Sequence, residues 1–228
     1  MDVDHIFIGV ERDGPEAEVL LEFGLEEGSA NRHAGQGTAC RRFFFRNFML
    51  ELLWMDDPEV LHECALDKAH LGARLANAGH SASPFGIGFR PSDGEAPPHA
   101  PPFCHWSYRP PYLPQQISLT IGAAASLVEP MWFYTVRGQR PDRTQPQPLD
   151  HPCGMRELNH AHVRVATRDS LSPTVTHVER SGAVSEVPGD APLLELEFDG
   201  CRAFEYHDFR PRLPLIFAGN QYALTSLA

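Results

Sequence analysis

Short runs of apolar residues, separated by polar or glycine-rich stretches, make up the first quarter of the chain. Residues 4–10 are rich in β-branched and aromatic side chains, which predicts a buried strand. Residues 16–23 carry apolar side chains at the spacing of one helical face. Residues 38–45 and 48–55 predict two strands joined by a tight hairpin at Arg46-Asn47. The predicted order is therefore strand, helix and antiparallel strands.

The middle of the chain combines a helical pattern with proline-rich segments. Residues 56–80 carry an apolar stripe at helical spacing, and residues 85–90 predict another short strand. Residues 91–115 are dense in proline, which removes backbone donors and disfavours helix, so this segment is expected to be extended. Its aromatic side chains indicate that it packs against the body of the protein. Residues 137–153, rich in proline and arginine, form a second connector.

The last third of the chain repeats the order found in the first quarter. Residues 158–167 predict a strand, and residues 169–182 predict a weak helix. Residues 193–198 and 202–208 predict a second hairpin, because Asp199-Gly200 between them is a strong turn signal. Residues 214–217 predict a final edge strand.

We therefore predict an α+β fold in which two similar modules are joined within one globular unit. The first module covers residues 1–56 and the second covers residues 153–228. Residues 57–152 supply a helix, an extended proline-rich insertion and the connector.

The two predicted modules also share the placement of their polar residues. A histidine lies in each opening strand, at His5 and His162, and a glutamate lies in the middle of the second strand of each hairpin, at Glu51 and Glu205. Because side chains alternate between the faces of a strand, each of these histidines and glutamates is expected to point to one defined face of its sheet.

Glu51 is the most unusual residue of the first module, because it interrupts the apolar run Met-Leu-Glu-Leu-Leu-Trp. A carboxylate in such a strand is costly unless it is paired, hydrogen-bonded or bound to a cation. One interpretation is a functional carboxylate, and the other is a structural carboxylate neutralised by Arg41 or Arg42 across the hairpin.

Composition excludes several classes of function. The 228 residues carry a formal net charge of -11, which disfavours non-specific binding to nucleic acid or to an anionic membrane. No apolar run approaches the ~20 residues of a membrane span, and the acidic N-terminus has no secretory signal. Five widely spaced cysteines without a C-x-x-C pair are typical of reduced thiols in a cytoplasmic protein.

The repeat of strand, helix and three strands, with histidine on the first strand and glutamate on the last, resembles the glyoxalase-like branch of the vicinal oxygen chelate superfamily. The residues that carry this resemblance are Asp4-His5-Ile-Phe-Ile, the loop at residues 28–38 and Met49-Leu-Glu-Leu-Leu. Pro-Pro-Tyr-Leu-Pro at residues 110–114 and His151-Pro-Cys-Gly add to it. The resemblance implies paired βαβββ modules whose curved mixed sheets surround a central cavity.

The resemblance also implies one divalent metal in that cavity, with zinc, nickel, manganese and iron(II) all open. By position, the implied metal ligands are His5, Glu51, His162 and Glu205, and either glutamate could also serve as the catalytic base. Within the second module, His160 competes with His162, and Glu195 competes with Glu205, for these roles.

Four further residues are candidates for substrate binding. His33 and Thr38 lie in the loop and strand at the expected cavity mouth, and Arg109 and Tyr112 lie in the proline-rich segment, where Arg109 would pair with an anionic group. For each, the alternative is an ordinary turn or anchoring residue.

Three functions follow from these expectations. The first is a metal-dependent isomerase or lyase acting on a small oxygenated metabolite. The second is an iron(II) ring-cleaving dioxygenase, and the third is a metal-free ligand-binding or resistance protein. The expected partner is a small molecule, and the expected assembly is a monomer or a homodimer.

Overall fold

The structure, a computed structural model, describes residues 1–76, 82–94, 100–123, 126–165, 171–199 and 206–219. These residues form an α+β fold with two mixed sheets and four short helices. No helix among them has the length and apolar character needed to cross a lipid bilayer.

The first sheet contains eight strands: Asp2–Gly9 (β1), Asn31–His33 (β2), Thr38–Phe44 (β3), Met49–Met55 (β4), Phe85–Arg90 (β5), His105–Tyr108 (β6), Leu119–Gly122 (β7) and Met131–Tyr134 (β8). The second sheet contains five strands: Leu158–Val165 (β9), Val184–Pro188 (β10), Leu193–Phe198 (β11), Tyr206–Asp208 (β12) and Leu215–Gly219 (β13). The α-helices are Ala17–Phe23 (α1), Pro58–Glu63 (α2), Leu71–Leu75 (α3) and Pro173–Glu179 (α4), and short 3₁₀ turns cover Ala65–Ala69 and Pro141–Arg143.

The eight-stranded sheet is built from two units with the same strand topology. Its order is β2-β3-β4-β1-β5-β8-β7-β6. In each unit the first strand is parallel to the fourth, the fourth is antiparallel to the third, and the third is antiparallel to the second. The units meet where β1 runs antiparallel to β5, with Ile6 opposite Ile87.

This topology changes the interpretation of residues 57–152. We expected a helix, a strand at residues 85–90 and an extended insertion; that strand is present as β5, and the segment also supplies β6 to β8, which complete the first sheet. Strand β6 lies in the proline-rich region, and β6 and β7 have only four residues each, too few for a strand pattern to be visible in the sequence. The division of the chain into domains at residues 1–56, 57–152 and 153–228 remains a prediction.

The second sheet does not repeat the topology of the first unit. Its order is β10-β9-β11-β13-β12, and β9 pairs directly and in parallel with β10, the strand that follows its helix. The predicted pairing of residues 193–198 with 202–208 is wrong for the described residues 206–208, because β13 lies between β11 and β12 and pairs with both; residues 202–205 lie outside the described part of the chain. The duplicated four-strand topology is therefore found within the first sheet.

A large apolar core fills the space between the two sheets. Alternate residues of β1 and β4, such as Ile6 and Leu50, pack in this core together with Val163 of β9 and Leu196 of β11. The opposite face of the first sheet carries a second core, in which Phe7 and Leu53 pack with α2, α3 and strands β7 and β8. Because side chains alternate, the residues next to Ile6 and Leu50 face this second core.

Asn47 joins the first hairpin to the second half of the chain. Its side-chain amide donates to the carbonyl of Leu158 at 2.8 Å, and its amide oxygen accepts the Leu158 N–H at 2.9 Å. Asn47 thereby satisfies both backbone groups of the residue that begins β9 and anchors that strand against the first sheet.

Candidate functional site

A cavity of about 220 Å³ lies on the face of the first sheet that points away from the second sheet. Its size is below the usual range for drug-sized ligands, so it suits a small molecule. Strands β7 and β8 line it mainly with hydrocarbon, including Ile121, Met131 and Phe133. The first unit supplies most of its polar lining: Asp4, His5, Asn31, His33, Gln36 and Glu51.

The aromatic floor of this cavity depends on two glycines of β5. A Cβ atom at Gly86 would lie 2.0 Å from Cε1 of Phe7, and one at Gly88 would lie 2.2 Å from Cε2 of Phe133. Both rings therefore lie directly on the backbone of β5, where any larger residue would displace them.

Two larger clefts, of about 570 and 520 Å³, have no histidine or cysteine among their described lining residues. The first is lined by arginines, but Arg140 is paired with Asp142 and Glu157, and Arg143 is paired with Asp93. These charges already neutralise one another.

Glu51 projects from the middle of β4 and is only 7% exposed. Its Oε1 lies 3.8 Å from Sγ of Cys40, which donates to it. The two arginines considered as its partners bind elsewhere: Arg41 pairs with Glu27 at 2.6 Å, and Arg42 donates to the Ser29 carbonyl at 2.6 Å. Within the described part of the chain, no cationic side chain forms an ion pair with Glu51.

His33, at the end of β2, is held in place through one ring nitrogen. Its Nδ1 lies 2.8 Å from Oγ1 of Thr38, which also accepts from Nε2 of Gln36 at 2.9 Å. The Tyr108 hydroxyl donates to Oε1 of Gln36 at 3.0 Å. The centre of the Tyr112 ring lies 4.6 Å from the centre of the His33 imidazole. Burial lowers the pKa of His33 below its ordinary value, which favours the neutral ring.

His5, on β1, is oriented by its neighbour in sequence. Its Nδ1 lies 2.8 Å from Oδ2 of Asp4, and its ring contacts that of Phe133 at 4.7 Å. Burial alone would lower the pKa of His5, but the Asp4 hydrogen bond and the charge of Glu51 raise it above its ordinary value. Because an ionised carboxylate only accepts, Nδ1 carries a proton and Nε2 is left as the basic atom.

One set of three metal-ligand atoms is close enough together to hold an ion. His33, Cys40 and Glu51 each offer an atom within 4.8 Å of the other two, and the described residues contain no other such group. His5 shares the cavity but lies outside this set. Burial and the charge of Glu51 both raise the pKa of the Cys40 thiol.

The structure does not bring His162 to this site. His162 alternates on β9 with Ala161 and Val163, which pack in the core between the sheets, so it faces the outer side of the second sheet. There its Nε2 lies 2.6 Å from Oε1 of Glu197, and its Nδ1 lies 2.7 Å from Oγ of Ser185. The expected four-ligand set is therefore divided between opposite faces of the two-sheet body.

His160 and Glu195, on the second sheet, also lie away from the cavity. His160 binds the same Ser185 hydroxyl at 3.0 Å, and Glu195 lies opposite His162 on β11. Glu205 lies outside the described residues.

The substrate-binding candidates fall into three groups. His33 and Tyr112 line the cavity. Thr38 is buried behind His33 and fixes its ring. Arg109 is exposed in the segment that follows β6.

Sequence reasoning missed Asp4 and Cys40. The hairpin register could have indicated Cys40, because it lies opposite Leu53, two positions from Glu51 on the same face of the adjoining strand. Asp4 could not be inferred, because consecutive strand residues normally point to opposite faces.

No family model matches the sequence, and no curated protein matches it. Solved structures do match the fold, in 55 chains. One is the crystal structure of a hypothetical protein from Staphylococcus aureus, with a TM-score of 0.55 and 8% sequence identity. The match covers 96% of this chain and 99% of that one, so the similarity extends over both sheets and concerns the fold alone.

Proposed function

We propose that this chain is a glyoxalase-like protein of the vicinal oxygen chelate superfamily. In this proposal it binds a small oxygenated molecule in the 220 Å³ cavity and carries out isomerase or lyase chemistry with a divalent metal. The observation that carries the proposal is the buried Glu51 carboxylate, which lines the cavity together with His5 and His33 and forms no ion pair with an arginine or lysine of the described residues.

The topology of the first sheet supports the family assignment. The superfamily pairs βαβββ modules, and β1, α1 and β2 to β4 follow that order here. Strands β5 to β8 repeat the same pairing without a helix between β5 and β6 among the described residues. The proposed pair of modules is therefore residues 1–56 with the 85–134 segment.

The residues at the polar end of the cavity fit a divalent metal. A buried carboxylate without a counter-charge is expensive, and a bound cation removes that cost. Glu51 and His33 would hold the ion, with His33 in the tautomer in which Nδ1 donates to Thr38 and Nε2 is free to bind. When bound, the metal supplies Lewis acidity that stabilises negative charge developing on a substrate oxygen.

His5 has the properties of the group that moves the proton. Asp4 fixes the ring and stabilises its charged form, and a pKa above the ordinary histidine value strengthens Nε2 as a base near neutral pH. In this role Nε2 takes a proton from the carbon adjacent to the carbonyl carbon of the substrate. The same atom returns that proton to a neighbouring carbon or to the leaving group.

The opposite wall selects the rest of the molecule. Ile121, Met131 and Phe133 offer only hydrocarbon, so an apolar substituent is favoured there. The phenol of Tyr112, whose pKa is raised by burial, stays protonated and can donate to a substrate oxygen.

Deuterium exchange tests this function without knowledge of the natural substrate. The full chain is stripped of metal and reloaded with zinc, nickel, manganese or iron(II). It is then incubated in D₂O with a panel of 2-oxo and 2-hydroxy carbonyl compounds while C–H exchange is followed by NMR. We expect metal-dependent exchange that Glu51→Gln abolishes and that Glu27→Gln, at a carboxylate already paired with Arg41, leaves unchanged.

Two other outcomes would replace the proposal. Oxygen consumption only in the iron(II) sample would identify a dioxygenase. Binding of a compound without exchange, unaffected by metal, would identify a ligand-binding protein.

One observation favours this last, metal-free function as the second candidate. With Ile6 matched to Ile87, the positions that correspond to His5 and Glu51 in the second unit are Gly86 and Phe133. The second unit thus contributes no imidazole or carboxylate at these positions, and only the first unit provides ligands there.

A further inference from the structure

We propose that Cys40 is the third protein ligand of the metal site, so that the ion is held by nitrogen, sulfur and oxygen from His33, Cys40 and Glu51. This inference rests on the proposed function, because it specifies the metal that the cavity holds. It replaces the set of metal ligands that the family resemblance implies, which consists of imidazoles and carboxylates alone.

The distance between sulfur and oxygen fits a shared ion. Sγ of Cys40 and Oε1 of Glu51 are 3.8 Å apart. With metal–sulfur and metal–oxygen bonds of about 2.3 and 2.0 Å at a tetrahedral angle, these two atoms would be roughly 3.5 Å apart. The ligand atom of His33 lies within 4.8 Å of both, so small side-chain rotations bring all three to one point.

All three residues are buried, which distinguishes this group from a chance surface cluster. Cys40 has no exposed surface, His33 is 6% exposed and Glu51 is 7% exposed. The thiol is the one hydrogen-bond partner that the described structure gives the Glu51 carboxylate. A long thiol contact is a weak substitute for the several strong hydrogen bonds that a buried carboxylate needs.

The surroundings of His33 have the form of an outer shell around a metal ligand. Thr38, Gln36 and Tyr108 form a continuous hydrogen-bonded chain that ends on Nδ1 of His33, with Cys64 at its far end. Such partners fix the ring and direct its other nitrogen to the ion.

The mixed donor set determines the class of metal. Thiolate sulfur prefers zinc and other thiophilic ions, whereas magnesium, calcium and manganese prefer oxygen ligands. On binding, the sulfur–hydrogen bond of Cys40 breaks, a metal–sulfur bond forms, and the proton is released to water. Three protein ligands leave a fourth position for a substrate oxygen, as in catalytic zinc sites.

Cobalt(II) provides the test, because its bond to a thiolate produces an intense charge-transfer absorption that nitrogen and oxygen ligands do not. The metal-free full chain is titrated with cobalt(II) and its absorption spectrum is recorded. We expect one cobalt ion per chain with this absorption. Cys40→Ser should abolish the absorption and lower zinc affinity by more than about 100-fold, since even outer-shell changes cost 10–100-fold.

Cys153→Ser is the matched control. Cys153 is a partly buried thiol that packs against the core between the two sheets and lies outside the donor group, so its variant should keep the absorption. Circular dichroism and thermal unfolding establish that each variant is folded.

The unmodified protein gives an independent measurement if Cys40→Ser does not fold. X-ray absorption of the chain loaded with one zinc ion should show a sulfur neighbour at about 2.3 Å. Cobalt or zinc binding without any sulfur signature would overturn the thiolate ligand and leave the metal of the proposed function intact. Failure of the wild-type chain to bind either ion would overturn both.

Discussion

Nδ1 of His5 lies 2.8 Å from Oδ2 of Asp4, although the two residues are consecutive on one strand. Consecutive strand side chains normally point to opposite faces. The pairing of β1 with β5 shifts register between Val3 and His5, so Asp4 occupies an irregular position on β1. This irregularity turns Asp4 towards its neighbour, and both residues line the cavity.

The Asp4–His5 contact predicts a specific pH dependence of stability. The pKa of His5 is raised in the folded protein, so the charged ring stabilises the fold. That contribution is complete below the unfolded-state pKa of about 6.5 and is lost as pH rises through the higher folded-state pKa. In urea unfolding of metal-free protein, the stability difference between wild type and His5→Gln should therefore shrink from pH 6 to pH 9. Asp4→Asn should lower the His5 pKa measured by NMR, and an unchanged pKa would contradict this account.

Glu51 is predicted to reduce the stability of the metal-free protein. Replacing it with Gln removes a buried charge and preserves shape, so the free energy of unfolding should rise by about 1 kcal/mol or more. Chemical denaturation in the presence of a chelator measures the change. The matched variant Glu27→Gln breaks a paired carboxylate and should not stabilise. A loss of stability in Glu51→Gln would mean that the carboxylate is already neutralised in the fold.

Gly86 is predicted to be intolerant of any side chain. In Gly86→Ala the new Cβ would overlap the Phe7 ring, and the forced repacking should cost about 1–3 kcal/mol of folding free energy. Gly72→Ala in α3 is the control, because its Cβ would have ordinary contacts from 3.6 Å and alanine favours helix. Thermal unfolding should show Gly86→Ala clearly below wild type and Gly72→Ala at or above it.

His162 is predicted to be structural. His162→Phe removes the hydrogen bonds to Glu197 and Ser185 and should lower stability by about 1–3 kcal/mol, since the Glu197 carboxylate is left buried. Zinc affinity measured by calorimetry should stay within about twofold of wild type, because His162 lies on the outer face of the other sheet. A large loss of affinity in a folded variant would restore His162 as a ligand.

Local pattern predicted the strands of the first unit well but not the partner of that unit. β1, β3 and β4 follow the predicted limits within about two residues, because each has a long apolar run. The four-residue strands β6 and β7 are too short for alternation to be visible between prolines. Their pairing depends on contacts far away in the sequence, which periodicity does not record.

The site, like the fold, could be predicted from the sequence only in part. Alternation correctly separates His5 from Ile6 and His162 from Val163, but it does not say where each sheet lies in the body. Both histidines face away from the core shared by the sheets, and they therefore end on opposite surfaces. Glu51 was noticeable in sequence because its neighbours are apolar, whereas Cys40 resembled an ordinary core residue.

The unequal chemistry of the two repeated units also gives the cavity a direction. A bound molecule finds most of its polar partners in the first unit, so its hydrocarbon end is expected to point to Met131 and Phe133. The second unit would then select substrates by the length of their hydrocarbon end, and the first unit would carry out the reaction at their polar end. Substitutions at Met131 are therefore expected to change which compounds bind without changing the residues that contact the reacting end.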